Sequence, residues 1–311
     1  MQEDLLVSVC VLTYNHVNFI RNAIESVLSQ QVNFLWEFII ADDFSTDGTR
    51  DILIEYQKQN PDRIRLILQE RNVGAAENWF DLIKSPKGKY IAYFEGDDYW
   101  VDPCKLQKQV DFLESNPDFA ICFHNSKIIY EDEPGKTSFS NPANQQEVSS
   151  FEDLAKGEFI YTATCMFRRE NLIKFPEKYF LHLNNYTLDL HNAQYGNIKF
   201  INETMSVYRV HKGGIWSMVA REKTLISQLP AYKFYLDYFD KKYKPYFLAH
   251  LRGMTTELIT IKLGKKDFDD FWKCYKDYVF YNFKIRKEIK RMGYVFLKAN
   301  YEKVIKLIRR K

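Results

Sequence analysis

The stretch that decides the fold is KYIAYFEGDDYW, residues 89–100, in which an apolar run ends in three carboxylates. The run 90–94 is rich in aromatic residues and predicts a buried strand. Glu95, Asp97 and Asp98 follow at once, and like charges this close repel one another. The pattern therefore predicts a divalent cation at the end of this strand, with helix capping by the two aspartates as the alternative.

Three similar apolar runs precede this strand, and each is followed by a segment with a helical pattern. The strands are predicted at 7–12, 34–41 and 63–68, and the helices at 17–30, 47–60 and from about residue 75. Strands and helices that alternate in this way form a doubly wound, mostly parallel sheet with right-handed crossovers. The predicted fold class is therefore α/β.

The polar segments after these strands are expected to meet, because ligands of such sheets bind at the carboxyl ends of the strands. The segments are TYNH at 13–16, ADDFSTDGT at 41–49, QERNVGAAEN at 69–78 and EGDDYW at 95–100. They are far apart in the sequence, yet they converge on one edge of the predicted sheet. This convergence is the positional argument for a ligand site.

The rest of the chain predicts a smaller number of strands and then a helical region. A strand is expected at 119–130, a polar loop at 131–150, a strand entering a helix at 160–170, a helix at 186–195, and two short strands with a turn at 198–214. From about residue 222 the pattern is helical and rich in Tyr, Phe and Lys. We therefore predict an α/β domain over 1–217 and a helical C-terminal extension over 218–311.

The net charge of +3 is unevenly distributed along the chain. Residues 284–311 hold eleven Lys and Arg against two Glu, a net charge of +9, which leaves −6 for the remainder. This tail alternates basic with apolar residues, as helices that lie on anionic membrane surfaces do, and a solvated basic helix is the alternative. Nucleic acid is not an expected partner, because the remainder is acidic and carries no recognisable reading module.

Several other classes lack their sequence signatures. No G-x-G-x-x-G follows a strand, and neither a P-loop nor a G-x-S-x-G elbow is present. The five cysteines are scattered, which favours reduced thiols over zinc or disulfides. No run of about 18 apolar residues exists, and the N-terminus is acidic where a signal peptide would be basic. We expect a cytoplasmic protein, peripheral to the inner face of the plasma membrane through its tail.

Five separated motifs, in the correct order, resemble those of the family 2 glycosyltransferases. They are VSVCVLTYNH (7–16), ADDFSTDGT (41–49), NVGAAEN (72–78), YFEGDDYWVDPCKLQKQVDFL (93–113) and MSVYRVHKGGIWS (205–217). The last motif is similar to the end of the catalytic domain in members that build bacterial polysaccharides. The resemblance covers about residues 5–217 and implies a Rossmann-like GT-A fold with its catalytic domain over 1–217.

The resemblance also implies a reaction. A sugar would move, with inversion, from a nucleotide-sugar, by family habit a UDP-sugar, to a saccharide or polyprenyl-diphosphate-linked acceptor. Mg²⁺ or Mn²⁺ would neutralise the leaving diphosphate, and a general base would accept the proton of the attacking hydroxyl. The product would belong to a cell-surface polysaccharide.

The motifs carry the family's site residues onto this chain. Asp97 fills the last position of the D-x-D motif and is expected to bind the metal, supported by Asp98 and His211. Glu95 stands where that motif usually begins with Asp, and its carboxylate is expected at the ribose or at a metal-bound water. The nucleotide is expected to contact Thr13, Tyr14, Asn15, Asp42, Asp43, Arg71, Asn72, Gly74 and Asn78.

The general base is the position at which this chain departs from its relatives. The usual distance before the segment AQYG, residues 193–196, leads to Asn185, and an amide is not basic near neutrality. Asp189, one helical turn further, is the favoured candidate, because it could accept the proton from the same helix face. His191 or His182 could also do so, or the chain binds its donor and transfers poorly.

Two rival functions remain at the level of sequence. A nucleotidyltransferase also uses acids at strand ends, but it would normally carry a Gly-rich, basic loop after its first strand, and TYNH is neither. A nucleotide-sugar-binding protein without turnover is kept open by Asn185.

Overall fold

The computed structural model describes residues 5–182, 184–214, 220–265 and 267–288. The chain divides into two compact units, Met1–Met218 and Val219–Lys311, and each is described by itself. The side chains of residues 180–182, 268, 269 and 284–288 lie outside this description. The predicted basic tail, 284–311, therefore falls outside it almost entirely, as do the last three residues of the motif at 205–217.

Ten strands of the first unit form one sheet within the described residues. They are β1 Val7–Thr13, β2 Trp36–Asp42, β3 Ile64–Leu68, β4 Tyr90–Glu95, β5 Tyr99–Trp100, β6 Phe119–Tyr130, β7 Thr137–Phe139, β8 Val148–Ser149, β9 Met166–Arg168 and β10 Asn197–Val210. The order is β3-β2-β1-β4-β9-β6-β10-β5, while β7 pairs with β6 and β8 with β10.

The helices of the first unit follow the strands in the alternation that the sequence predicts. They are α1 Ile20–Leu28, α2 Thr49–Gln59, α3 Ala75–Lys84, α4 Lys105–Ser115, α5 Phe151–Lys156, α6 Arg169–Ile173 and α7 Asn185–Ala193, with 3₁₀ turns at Thr162–Thr164 and Glu177–His182. The strands β3, β2, β1 and β4 are parallel neighbours, and β6 runs parallel to β10. The α/β fold class is confirmed.

The core of this unit lies between the sheet and its helices. In β1, Val7, Val9 and Val11 are fully buried, and they pack in one cluster with α1. Helix α1 presents its apolar residues at positions 20, 23, 24 and 27, the spacing that keeps side chains on one helix face. Because β1 is covered on both faces, its sequence is a nearly continuous apolar run and not an alternating one.

Three expectations of the sequence analysis are corrected by the structure. Residues 198–214 do not form two short strands, because β10 is a single strand that absorbs its polar middle through register shifts against β6. The predicted loop 131–150 contains the short strands β7 and β8. Helix α1 spans Ile20–Leu28, so it is shorter at both ends than the predicted range 17–30.

The second unit consists of the helices α8 Arg221–Tyr238, α9 Lys244–Lys265 and α10 Phe268–Glu288, with a 3₁₀ turn at Lys241–Tyr243. Leu225, Met254 and Leu258 form a small apolar cluster between α8 and α9. No helix within the described residues is both long and apolar enough to cross a bilayer.

Candidate active site

The carboxyl ends of β1, β2 and β4 meet at one edge of the sheet. Thr13 is the register partner of Asp42, and Leu12 is the partner of Glu95. Beyond these ends, the backbone N–H of Asn15 donates to Ser45 Oγ at 2.8 Å, and Thr46 N–H donates to Asn15 Oδ1 at 2.9 Å. The first two polar segments are therefore joined directly, as their positions after parallel strands predict.

The turn after β4 is packed tightly against β1 and α1. At Gly96 an added Cβ would lie 2.9 Å from Thr13 Oγ1 and 2.9 Å from Ile20 Cδ1, closer than side chains approach one another. Only glycine fits at this close approach. The turn therefore holds Glu95 and Asp97 at fixed places on either side of a position without a side chain.

Two histidines converge on the carboxylate of Asp97. His211 Nε2 lies 3.0 Å from Asp97 Oδ2, and His16 Nε2 lies 3.8 Å from the same oxygen. The other ring nitrogen of His16 lies 3.2 Å from Thr13 Oγ1. His211 thus stands beside Asp97, where the sequence motif places a metal-binding histidine, and His16 joins it as a third polar group.

Asp98 is turned away from this group and towards β10. Its Oδ1 accepts the backbone N–H of Arg209 at 2.9 Å, while its Oδ2 is buried and has no hydrogen-bond partner among the described residues. Arg209 also donates from Nη1 to the carbonyl oxygen of Asp97 at 2.8 Å. Neither aspartate caps a helix, because β5 follows them and α4 begins only at Lys105.

Glu95 faces Thr162 and Asn185, the residue at the expected base position. Thr162 Oγ1 donates to Glu95 Oε2 at 2.5 Å, and Asn185 Nδ2 lies 3.4 Å from Glu95 Oε1. Burial raises the pKa of Glu95 to about 7, against the hydrogen bond from Thr162, and the charge of Asp97 raises it further. This carboxyl therefore binds a proton more readily than an exposed glutamate does.

The neighbouring acids titrate differently from Glu95. Burial would raise the pKa of Asp97, but the hydrogen bond with His211 and the charge of His16 outweigh it, so the pKa is lowered. Burial, then the charges of Asp97 and Glu95, raise the pKa of Asp98 well above its usual range. Burial lowers the pKa of His16. The cluster therefore combines Asp97, whose pKa is lowered, with Glu95 and Asp98, whose pKa values are raised.

The expected nucleotide side is built around Asp43. Its carboxylate accepts the backbone N–H groups of Val73 and Gly74 at 2.7 and 3.0 Å, and Asn72 Nδ2 donates to its carbonyl oxygen at 3.3 Å. Gly74 has a φ of 90°, a conformation that favours glycine. Each carboxylate oxygen of Asp43 retains a further lone pair that a ligand can use.

Other residues expected at the nucleotide lie at different depths. Asp42 is fully buried, and its carboxylate accepts Arg50 Nε at 2.7 Å and the backbone of Ser45. Asn78 is also buried, and it donates to the carbonyl oxygen of Ala41 at 3.2 Å. Tyr14 is 44% exposed and Arg71 is exposed. Asp42 and Asn78 shape the loop, whereas Tyr14 and Arg71 face solvent.

The two alternative bases whose side chains are described, Asp189 and His191, are buried. Asp189 is 1% exposed, one of its carboxylate oxygens has no hydrogen-bond partner in the described part of the chain, and burial raises its pKa well above the usual range. His191 is fully buried, and its Nε2 lies 2.8 Å from the carbonyl oxygen of Asn171. The side chain of His182 lies outside the described residues. Asn185 is thus the residue that the structure brings to Glu95.

A divalent cation can be tested against these side chains. Asp97 offers an ionised carboxylate, His211 an imidazole nitrogen, and Asp98 a buried oxygen with no partner in the described chain, which is a donor set that Mn²⁺ or Mg²⁺ accepts in part. Within the described ranges, no group of three or more His, Cys, Asp and Glu side chains is arranged as a preformed metal site. Asp97, His211 and Asp98 would therefore hold a cation only together with further ligands, which a bound diphosphate and water would supply.

Three residues of this site were not predicted as functional. His16 lies in the quoted segment TYNH, so its proximity to the strand end was a usable signal. Thr162 lies in the 3₁₀ turn before β9, and Arg209 lies in β10. Their contacts with Glu95 and Asp98 span 67 and 111 positions of the sequence. No local pattern marks such contacts.

The chain matches proteins of known class. The family model described as Glycosyl transferase family 2 matches residues 8–175. An uncharacterized protein of Mycobacterium tuberculosis is 37% identical over 217 residues, which are 67% of this chain and 60% of that protein. The chain thus spans well under two thirds of this relative.

Two further relatives and one solved structure extend the comparison. The putative teichuronic acid biosynthesis glycosyltransferase TuaG of Bacillus subtilis is 35% identical, over 53% of this chain and 63% of its own. The Escherichia coli protein WfgD, named UDP-Glc:alpha-D-GlcNAc-diphosphoundecaprenol beta-1,3-glucosyltransferase, is 30% identical over 71% of this chain and 83% of its own. S. aureus TarS in complex with UDP superposes with a TM-score of 0.58 at 16% identity, over 88% of this chain and 91% of that one, and shares the GT-A fold.

Replacing Glu95 by Gln is expected to stabilise the protein at high pH. The folded state holds a proton on Glu95 up to about pH 7, whereas an unfolded glutamate, with its ordinary pKa of 4.5, releases the proton at lower pH. Stability from this site is therefore greatest below pH 4.5 and falls as the pH rises through 7. Glutamine removes this loss and should add on the order of 1 to 3 kcal/mol at pH 8.

Urea unfolding of wild type and Glu95→Gln at pH 4.5 and pH 8 measures this difference, with the exposed Glu70→Gln as the control. If the unfolding free energies of wild type and Glu95→Gln differed by the same amount at pH 4.5 and at pH 8, the raised pKa of the Glu95 carboxyl would be contradicted.

Proposed function

Because the chain belongs to the glycosyl transferase family 2, we propose that it transfers a sugar, with inversion, from a UDP-sugar to a saccharide carried on a polyprenyl diphosphate. The observation that carries this proposal is the convergence of Asp97, His211 and Glu95 with the ends of β1 and β2 at one sheet edge. The reaction would serve synthesis of a cell-surface polysaccharide, the process in which glycosyltransferases such as TuaG are named.

The names of the relatives support the proposed UDP-sugar donor and lipid-linked acceptor, whereas the amino-acid composition of this chain does not bear on them. The name of WfgD gives a UDP-sugar donor and a diphosphoundecaprenol-linked acceptor. In this chain, Asp43 and the segment Asn72–Gly74 offer lone pairs and backbone for a nucleoside, and exposed Tyr14 lies in the adjoining loop. We infer that the nucleoside binds along this edge with its diphosphate directed towards Asp97.

The chemistry is one in-line displacement at the anomeric carbon. The acceptor hydroxyl forms a bond to this carbon as the bond to the diphosphate oxygen breaks, and the hydroxyl proton is removed. Negative charge grows on the leaving diphosphate, and a cation held by Asp97 and His211 would supply the compensating charge. Arg209 positions Asp97 for this role, because it holds the carbonyl oxygen of Asp97 and the carboxylate of Asp98.

Proton removal is the step for which this chain is least equipped. Asn185 occupies the site-facing position and offers an amide, while the carboxyl of Asp189 is buried and favours its protonated form. We infer that donor binding is intact and that transfer is slow. A nucleotide-sugar-binding protein with no turnover is the second candidate, and the same Asn185 favours it.

The protein is proposed to work at the inner face of the plasma membrane. Residues 284–311 carry a net charge of +9, and anionic lipid headgroups attract such segments. A polyprenyl-linked acceptor is confined to the bilayer. Attachment of the enzyme to the same surface therefore raises the effective concentration of the acceptor at the active site.

Removing the carboxylate of Asp97 should abolish metal-dependent nucleotide binding. Titration of UDP into the wild type by calorimetry is expected to give heat with Mn²⁺ and none with EDTA. Asp97→Asn should weaken binding at least about tenfold, because one charged ligand of the cation is lost. The exposed Asp111→Asn on α4 is the matched control. Equal affinity of Asp97→Asn and wild type in Mn²⁺ would contradict the assignment.

Restoring an acid at position 185 should accelerate transfer. Asn185→Asp is expected to raise kcat by about 10²-fold or more, the usual contribution of a positioned base, with little change in UDP affinity. Asp189→Asn should change kcat by less than about threefold, because the Asp189 carboxyl is not exposed to substrate. Radiolabelled sugar transfer and donor hydrolysis measure both effects. A large loss in Asp189→Asn would instead assign the base to Asp189.

Truncation before residue 284 should weaken membrane binding and leave nucleotide binding unchanged. Sedimentation with liposomes of phosphatidylglycerol and phosphatidylcholine at low salt is expected to recover at least about tenfold less truncated than full-length protein, since each basic residue near the surface contributes about 1 kcal/mol. Calorimetry with UDP serves as the control for folding. Equal sedimentation of the two proteins would exclude the tail as a membrane contact.

A further inference from the structure

Helix α10 of the second unit carries apolar side chains on two faces. Phe271 and Tyr281 are 4% and 3% exposed and belong to the buried face. Trp272, Val279 and Phe283 are 57%, 47% and 69% exposed. A helix that packs on one side only normally presents polar residues on the other side. The exposed apolar face of α10 therefore requires an explanation.

The exposed residues form one continuous stripe. Positions 272, 279 and 283 are separated by seven and four residues, which is the spacing of one helix face. Lys276 lies on the same face, four residues after Trp272 and three before Val279. The stripe, defined as Trp272, Lys276, Val279 and Phe283, thus combines two large aromatic rings with one cation and contains no acid.

The two acids of α10 whose side chains the structure describes, Asp270 and Asp277, pair with lysines of the other helices of the unit. Lys262 Nζ of α9 lies 2.7 Å from Asp270 Oδ2, and Lys233 Nζ of α8 lies 3.3 Å from Asp277 Oδ2. The described acids of α10 are thus paired with lysines of the bundle, whereas Trp272, Val279 and Phe283 lie exposed on another face of the helix.

The sequence after the stripe indicates which partner fits. Phe283 is followed immediately by residues 284–311, with their net charge of +9. A second copy of the chain would bring two such segments and two Lys276 side chains together, and like charges would oppose this contact. An anionic bilayer surface satisfies both features, because it accepts aromatic rings at the level of its headgroups and attracts the adjacent cations.

We propose that the stripe of α10 inserts into the headgroup and upper acyl region of an anionic membrane, with the helix axis parallel to the surface. The proposal rests on the peripheral location proposed above and adds the apolar element that a basic tail alone does not supply. Electrostatic attraction brings the protein to the surface, and Trp272 and Phe283 then bury apolar area in the bilayer. Two such signals together give more stable anchoring than either alone.

The two contributions are separable by salt. In about 0.5 M NaCl the attraction of the tail is largely screened, whereas burial of apolar side chains is not weakened. Full-length protein is mixed with liposomes of equal parts phosphatidylglycerol and phosphatidylcholine and sedimented at low and high salt. Trp272→Ser/Phe283→Ser should lower the partition coefficient at high salt about tenfold or more, in line with the loss of two buried aromatic side chains.

Phe139→Ser is the matched control, because Phe139 is also 57% exposed but lies in the first unit. It should partition as the wild type does. Equal partition of the double variant and the wild type at high salt would overturn the proposal. So would a change in oligomeric state of the double variant, measured by analytical ultracentrifugation without lipid, because it would assign the stripe to a second copy.

Fluorescence tests the same contact without a destabilising substitution. Subtracting the spectrum of Trp272→Phe from that of the wild type gives the fluorescence emission of Trp272. This emission should shift to shorter wavelength when liposomes are added. Lipids brominated on their acyl chains should quench it. An unshifted and unquenched signal would place Trp272 outside the bilayer. UDP binding by calorimetry reports separately on the donor site, so failure of the proposed reaction and failure of this membrane contact give different results.

Discussion

The acidic edge of the sheet depends on Arg209. Its backbone N–H binds the carboxylate of Asp98, its guanidinium donates to the carbonyl oxygen of Asp97 and lies 3.2 Å from Glu131, and its side chain is only 7% exposed. Without these contacts, three carboxylates packed within one turn would repel one another in a poorly hydrated place. Arg209 lies on β10, late in the first unit, and it holds the turn that follows β4 in place. The acidic turn and β10 thus form one structure, although Arg209 and Asp98 are separated by 111 positions of the sequence.

Much of the fold could be predicted because its signals are local. The strands β1 to β4 are apolar runs of the length that buried parallel strands require, and the intervening helices show one apolar face each. The long strand β10 was missed because its middle, around Asn202 and Glu203, is polar and reads as a turn. The structure tolerates these residues by shifting register against β6, an effect of pairing that a single strand's sequence does not show.

For the candidate site, the sequence predicted the positions of the acidic residues but not their environments. Position at strand ends was sufficient to single out Glu95, Asp97 and Asp98, but not their different environments. Asp98 lies under β10 and Asp97 between two histidines, so one acid favours its proton and the other does not. In α7, the four-residue spacing of Asn185 and Asp189 was a correct argument about helix geometry. Depth separates them, since Asn185 lies at the helix start near Glu95 and Asp189 lies in the interior.

The space around Gly96 also limits how this site can vary. Any side chain there would press on Thr13 and Ile20, and therefore on the first strand and the first helix of the core. The path of the backbone through the turn, and with it the placement of Glu95 and Asp97 on either side of position 96, therefore depends on glycine at this position.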